Sequence, residues 1–188
     1  MRETFHDELD QIGSALVEMA GLVGSSMSRA TTALLDADLQ LAEQVIESDA
    51  VVDQLYRSTE DRAFEILSRQ SPVASDLRVV VTGLRMVADL ERMGDLTLHI
   101  AKIARLRYPA HAVPAELRST ILEMGQTAQR IVEKCGSVIA GQDVDQAIEL
   151  EDDDDVMDAL HRKLFTILLD SWEHSMEAAI DITLLGRY

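Results

Sequence analysis

From its first turns the chain places apolar residues at heptad-like intervals: Phe5, Leu9, Ile12, Leu16, Met19, Val23, Ala30 and Leu34. That spacing keeps one face apolar and predicts a long amphipathic helix. Residues 117 to 138 repeat it with Leu117, Ile121, Met124, Ala128, Ile131, Cys135 and Val138. A shift of 105 residues lays Ile12 on Leu117, Leu16 on Ile121, Met19 on Met124 and Val23 on Ala128. The register survives the next turn, where "DADLQLAEQV" meets "GQDVDQAIEL" and Asp38 falls on Asp143. Further on, Asp49 meets Asp154, Asp53 meets Asp158 and Arg57 meets Arg162. A register shared by two helices and their connection marks an internal duplication.

The punctuation agrees. Asp38 and Asp143 stand where the pattern breaks and suit helix N-caps. "RQSPVASD" at 69–76 ends the second helix, with Pro72 as breaker and Ser75 or Asp76 as the next cap. "RYPAHAVPAE" at 107–116 separates the halves. Helices of about 25 to 30 residues, roughly 40 Å long, are expected between these breaks. Long helices joined by short turns pack antiparallel. The expected fold is therefore all-α, two tandem three-helix bundles over residues 1–108 and 109–188. "AAIDITLLGRY" breaks off in mid-pattern without a cap, so the second bundle is expected to be incomplete, with part of its groove uncovered.

Composition narrows the class. Three prolines and nine glycines are too few for a many-stranded sandwich or barrel. One cysteine, Cys135, excludes an internal disulfide and fits a reducing compartment. No apolar run approaches the roughly 20 residues of a membrane span, and "MRETFHDELDQIG" lacks the apolar core of a signal peptide. The expected location is the cytoplasm. Thirty-four acids against seventeen Lys and Arg give a net charge of −17, which disfavours nucleic acid and anionic lipid as partners. Cations or a basic protein face suit that surface better, though acidity also serves plain solubility.

The candidate chemistry lies in "DLERMGDLTLHIAK", residues 89–102. Leu90, Met93, Thr97, Ile100 and Ala104 form its apolar stripe, and Glu91 and Asp95 stand four apart on the edge, where like charges repel. Such a pair can share one metal ion, with Fe, Mn, Mg, Ca or Zn as candidates, and His99 one turn on can add a nitrogen ligand. Equally, the pair can be a solvated acidic stripe with Arg92 compensating Asp95. Asp49 and Asp53 repeat the spacing; exposure, capping or a metal-facing role each explains them. The run "ELEDDDDVMD" reads as a solvated face. Asp158 and His161 form a single D-x-x-H, where a di-iron carboxylate enzyme needs two. Arg78, Arg85 and Arg92 recur every seven residues, either as snorkelling surface arginines or as a docking stripe for another protein. No phosphate loop or nucleophile elbow is present, and nothing else forms a catalytic constellation.

"SPVASDLRVVVTGLRMVADLERMGDLTLHIAKIA" resembles the PhoU family of phosphate-uptake regulators, whose signature is a helix carrying L-E-R-x-G-D. Ser71 to Arg78 and Leu90 to Asp95 match together, in order, and the duplicated three-helix layout is that family's fold. The resemblance implies a non-enzymatic adaptor, a negative regulator that restrains a phosphate-sensing histidine kinase and acts with a phosphate ABC transporter at the inner face of the membrane. A homodimer is the expected assembly, touching the membrane only through partners. Some members bind metal through the E-x-x-x-D carboxylates, here Glu91 and Asp95; many carry Asn where this chain has His99. The competing class is a metal-binding helical carboxylate protein, enzymatic or for storage. The family repeats its motif in the last helix. At an offset of 99, reduced from 105 by a shorter loop before the sixth helix, the equivalent of Glu91 would be position 190. The native chain is therefore expected to continue about 20 to 30 residues, enough to finish that helix at 1.5 Å per residue.

Overall fold

The computed structural model describes residues 2–70, 72, 75–170 and 172–188, and no side chain of residues 2–6 or 70. The side chains of Phe5 and His6, and Ser71 of the second turn, lie outside that description. Six helices follow one another: α1 (Arg2–Asp36), α2 (Leu39–Gln70), α3 (Ser75–Arg107), α4 (Arg118–Gly141), α5 (Val144–Asp170) and α6 (Met176–Arg187). A 3-10 turn at Ala115–Leu117 leads into α4, and there is no strand among the described residues. The first three helices exceed the expected length, at 35, 32 and 33 residues, whereas α6 has 12.

The two repeats begin their second helices alike. After α1 the chain turns at Ala37, in the left-handed region at φ 52, and Asp38 N–H bonds back to Ala33 O at 3.0 Å. This six-to-one bond is a Schellman closure. Asp38 then caps α2, its carboxylate accepting from Leu41 N–H at 2.9 Å. In the second repeat Gln142 holds the same left-handed conformation at φ 50, and Asp143 accepts from Asp145 and Gln146 N–H. Both expected caps are in place. At the start of α3 the helix already includes Ser75, so Asp76 sits inside the first turn. A side chain at Ala37 is strained where glycine would not be. Ala37→Gly is expected to stabilise the chain by about 0.5–1 kcal/mol, the left-handed penalty of alanine outweighing the added freedom of the unfolded glycine. Urea midpoints of the two proteins check this.

In α1 the apolar stripe is the core: Ile12, Leu16, Met19, Val23, Ala30 and Leu34 are all buried. In α4 only Leu117, Ile121 and Met124 are, while Ala128, Ile131, Cys135 and Val138 are half-buried. The difference is one of neighbours. Helix α1 is enclosed by α2, α3 and α4, whereas α4 packs on α1 and α5. A continuous apolar core joins the repeats, drawing Leu34 from α1, Ala101 from α3, Ile121 from α4, Leu164 from α5 and Ile182 from α6.

The seam between repeats is made by small residues. A Cβ on Gly136 would lie 3.0 Å from Ala20 Cβ, and one on Gly125 only 2.3 Å from Thr31 Oγ1. Residue numbers rise along α1 as they fall along α4, so the helices cross antiparallel. In the 105-residue register Ala20 corresponds to Gly125 and Thr31 to Gly136. Each contact is therefore the image of the other, as across a two-fold axis.

The connection between α3 and α4 is pinned to the end of α1. Ala112 and Val113 are buried, His111 Nδ1 donates to Leu35 O at 3.0 Å, and Arg118 reaches the same carbonyl and Asp36. Helix α6 is held by Arg107, whose Nε and Nη2 donate to Asp181 at 2.5 and 3.1 Å, with Glu177 at 3.3 Å. The hydrogen bond to Asp181, then that to Glu177, raises the Arg107 pKa. The reduced offset of the last helix has a different cause from the one expected. The connections span residues 71–74 and 171–175, so the one before α6 is not the shorter; α5, with 27 residues against 32 in α2, is. Ser175 then caps α6, accepting from Ala178 N–H at 3.2 Å. Past the end of α6 lies a cavity of about 310 Å³ lined by Met27, Leu34, Ile121, Met124, Met157 and Tyr188.

Candidate functional site

Helices α2 and α3 run antiparallel and approach at Gly94, in the signature stretch. A Cβ there would lie 3.3 Å from Val52 Cγ1 and 3.7 Å from Asp49 Oδ1. The missing side chain lets α2 settle onto α3 and brings Asp49 and Asp53 to the same ledge as Glu91 and Asp95. All four carboxylates are half-buried. Burial raises the Glu91 pKa above its ordinary 4.5, and repulsion from Asp95, Asp53 and Asp49 raises it further. Burial, then Asp53 and Asp95, likewise raises Asp49 above 3.8, while Lys102 and His99 pull it down. Among the described residues Asp49, Glu91 and Asp95 have no basic group within 4 Å; Asp53 has Arg57 at 3.8 Å. Arg92 is exposed and does not compensate Asp95, contrary to the three-residue spacing.

His99 is half-buried at the end of the ledge. Its ring stacks on Tyr188 with centroids 5.0 Å apart, and its Nδ1 is buried without a hydrogen-bond partner among the described residues. At the other end Tyr56 donates to Glu60 at 3.2 Å and feels the Glu91 charge. The second repeat is arranged differently. Asp154 and Asp158 are exposed, with Arg162 3.8 Å from Asp158, an ion pair that copies Asp53–Arg57. Within the acidic run Lys134 neutralises Asp153 at 2.6 Å and Glu149 at 3.5 Å. His161 packs edge-on against Phe165. Arg78, Arg85 and Arg92 are exposed on the outer face of α3.

The donor set on the ledge is all oxygen and carries excess negative charge, which fits a hard cation. The ledge is open: among the described residues no group of three or more His, Cys, Asp or Glu closes tightly enough to hold a metal ion by itself. Spacing along one helix reveals Glu91 with Asp95 and Asp49 with Asp53, but not their meeting. Gly94 is the signal for that approach, and Lys102 is a second neighbour that spacing does not reveal.

The raised carboxylates fix a sign for pH dependence. The folded chain keeps protons on Glu91 and Asp49 at pH values where the unfolded chain has released them, so these groups lower stability as pH rises. Their penalty is absent below the ordinary values of 4.5 and 3.8 and complete above the raised ones. Glu91→Gln is accordingly expected to leave metal-free stability nearly unchanged below the ordinary carboxylate value of about 4 and to raise it as pH climbs past that value, levelling off once Glu91 is fully ionised in the folded chain. Urea titrations at several pH values check it.

Two helical repeats in a shared register, a two-fold seam and a carboxylate ledge where the third helix meets the second define a class of duplicated helical-bundle proteins. The chain belongs to the PhoU family: the profile for the PhoU domain matches residues 16–104 and again 121–188. Among its relatives, the phosphate-specific transport system accessory protein PhoU homolog 2 of Mycobacterium tuberculosis is 47% identical over all of this chain and 89% of its own length. Homolog 1 of Mycobacterium leprae is 44% identical, again over the full chain and 85% of its own length. The crystal structure of PhoU from Pseudomonas aeruginosa superposes with a TM-score of 0.83 at 29% identity, covering 97% of this chain and 88% of that one. No helix among the described residues is long and apolar enough to cross a membrane.

Proposed function

We propose that the chain is a negative regulator of phosphate uptake and of phosphate-responsive two-component signalling. It works as a protein-binding adaptor between a phosphate ABC transporter and a sensor histidine kinase on the cytoplasmic side of the membrane. The observation that carries this reading is the full-length likeness to proteins named as accessory proteins of phosphate-specific transport systems. Long, mutually braced helices offering charged outer faces suit such a task, because docking surfaces on rigid elements lose little freedom on binding. Deleting the gene is expected to raise phosphate uptake and the starvation response in phosphate-rich medium. Affinity capture from the same cells is expected to recover transporter and kinase subunits; recovery of neither, with an unchanged deletion phenotype, overturns the proposal.

A second reading concerns the ledge and rests on its four carboxylates with few compensating charges. Glu91, Asp95, Asp49 and Asp53 would hold a hard metal ion, with His99 at their edge and water completing the shell. The ion would neutralise the ledge and stiffen the α2–α3 contact. Glu91→Ala/Asp95→Ala is expected to abolish metal uptake while keeping the helical content, and equal metal content in the two proteins would sink the idea. Iron loading without air, followed by oxygen, separates this role from an oxidase: turnover would favour the enzyme.

A further inference from the structure

The connection between α3 and α4 acts as a strap in the second repeat, and the first repeat holds the same trench without one. Ala112 and Val113 of the strap are buried beside the end of α1, where His111 and Arg118 both reach the Leu35 carbonyl. Just ahead of the strap, Arg107 grips α6 through Asp181 and Glu177. In the first repeat a trench of about 1020 Å³ has Ile12 and Gly13 of α1 as its floor, Arg78 and Thr82 of α3 as one wall, and Ile139 and Ala140 of α4 as the other. These are the counterparts of the strap's surroundings. In the 105-residue register Leu117 and Arg118 fall on Ile12 and Gly13, and Leu34 and Leu35 on Ile139 and Ala140. At the 99-residue offset of the last helix, Glu177 and Asp181 fall on Arg78 and Thr82. Residues 6–8, which correspond to 111–113, continue α1 as helix, so they do not cross this trench. Gly13 lacks the side chain that Arg118 supplies, and nothing lies within 4 Å of where its Cβ would stand. The Ala140 carbonyl is among the last four of α4 and has no partner within the helix.

The wall charge is reversed between the two trenches. Glu177 is answered by Arg107 at 3.3 Å, whereas Arg78 is exposed and has no carboxylate within 4 Å among the described residues. Asp10, the other charged residue lining the open trench, corresponds to Ala115, past the far end of the strap. We propose that the open trench binds an extended segment of a partner protein, its acidic residue against Arg78 and its small apolar residues between α3 and α4. The order is that of the strap, in which Ala112 and Val113 follow Arg107, with the leading charge reversed. A donor at the place of His111 would satisfy the Ala140 carbonyl. The adaptor reading names no docking face, and this one stands without that reading. A free segment must be ordered as it binds, so an affinity of about 0.1–1 mM is expected for an isolated peptide.

Titration of the isotope-labelled full chain with two peptides, followed by NMR, tests the proposal. One is the strap with its leading charge reversed, Glu-Tyr-Pro-Ala-His-Ala-Val-Pro; the other keeps the native Arg in first place. Both are amidated, so that no terminal carboxylate meets Asp10. The acidic peptide is expected to shift amide signals in residues 9–17, 78–86 and 138–142, and to bind about tenfold tighter than the native one, an exposed ion pair having replaced a like-charge clash. Arg78→Glu is expected to invert the preference. Gly13→Leu is expected to abolish binding of both peptides with unchanged helical content, because the space is open and leucine favours a helix over glycine. Absence of shifts at about 1 mM acidic peptide overturns the proposal, as do shifts confined to other residues. So do equal affinities, a preference for the native peptide (the segment a second copy of this chain would offer), or binding that survives Gly13→Leu.

Discussion

Replacing Gly125 by alanine is expected to lower the melting temperature by about 2–8 °C, from about 2–3 kcal/mol of overpacking cost less about 1 kcal/mol of helix preference, at about 2–4 °C per kcal/mol for a chain of this size. The new methyl group would stand 2.3 Å from Thr31 Oγ1 and 2.6 Å from Thr31 Cγ2. Thr31 cannot swing aside cheaply. It is 5% exposed, branched at Cβ, and its hydroxyl donates to Met27 O at 2.8 Å. The helices must separate instead, and the seam they form is shared by both repeats. Alanine favours a helix over glycine by about 1 kcal/mol, which offsets only part of this. Thr31→Ala in the same chain removes the two closest atoms, so the double variant is expected to be more stable than Gly125→Ala alone. A double-mutant cycle by thermal unfolding measures the coupling; simple additivity would show that the crossing is not where the strain falls.

Arg107→Ala is expected to release α6. Asp181 is 4% exposed and takes both of its side-chain hydrogen bonds from Arg107. Without the guanidinium a buried carboxylate is left uncompensated, which costs far more than the pair gained by forming. The cheapest escape is for this 12-residue helix to peel away and hydrate Asp181. Hydrogen exchange in residues 176–187 should rise by orders of magnitude more than in α1, and protease cleavage between α5 and α6 should accelerate. Arg107→Lys keeps the charge but not the two-pronged fork and should fall between. Arg107→Ala/Asp181→Ala, which leaves no orphan, should recover protection; if it is as labile as the single variant, the carboxylate is not the cause. Glu177→Ala should matter little, because that side chain is 76% exposed.

What the sequence made legible is local. The α1 stripe from Ile12 to Leu34, the caps at Asp38 and Asp143, and the duplication register all depend on neighbours within a few turns, and each stands as the pattern implied. Contacts between helices were less accessible. For Asp49 and Asp53 the spacing on α2 left a metal-facing role as one of three readings, because a shared ledge with Glu91 depends on how closely Gly94 lets two helices approach. Arg92 had the spacing to reach Asp95, yet its position on the outer face of α3 points it to solvent. The incomplete burial of the α4 stripe had no local cause either, since its residues follow the α1 pattern while their surroundings differ. Periodicity says which face is apolar; the neighbours decide how much of it is covered.

The seam between α1 and α4 has the self-complementarity of a homodimer whose two subunits share one polypeptide. In a true homodimer every substitution appears twice, so a bulky residue and the hollow that receives it must both fit a single sequence. Covalent joining lifts that restriction, and the chain has used the freedom in one direction. The first repeat supplies the protrusions, Ala20 and Thr31, and the second the hollows, Gly136 and Gly125. Two first repeats facing each other would collide at these positions, and two second repeats would leave a gap. The halves have become lock and key, no longer interchangeable despite their common descent. The same division extends to the chemistry: the aspartates that help form the ledge in the first half stand exposed in the second as Asp154 and Asp158.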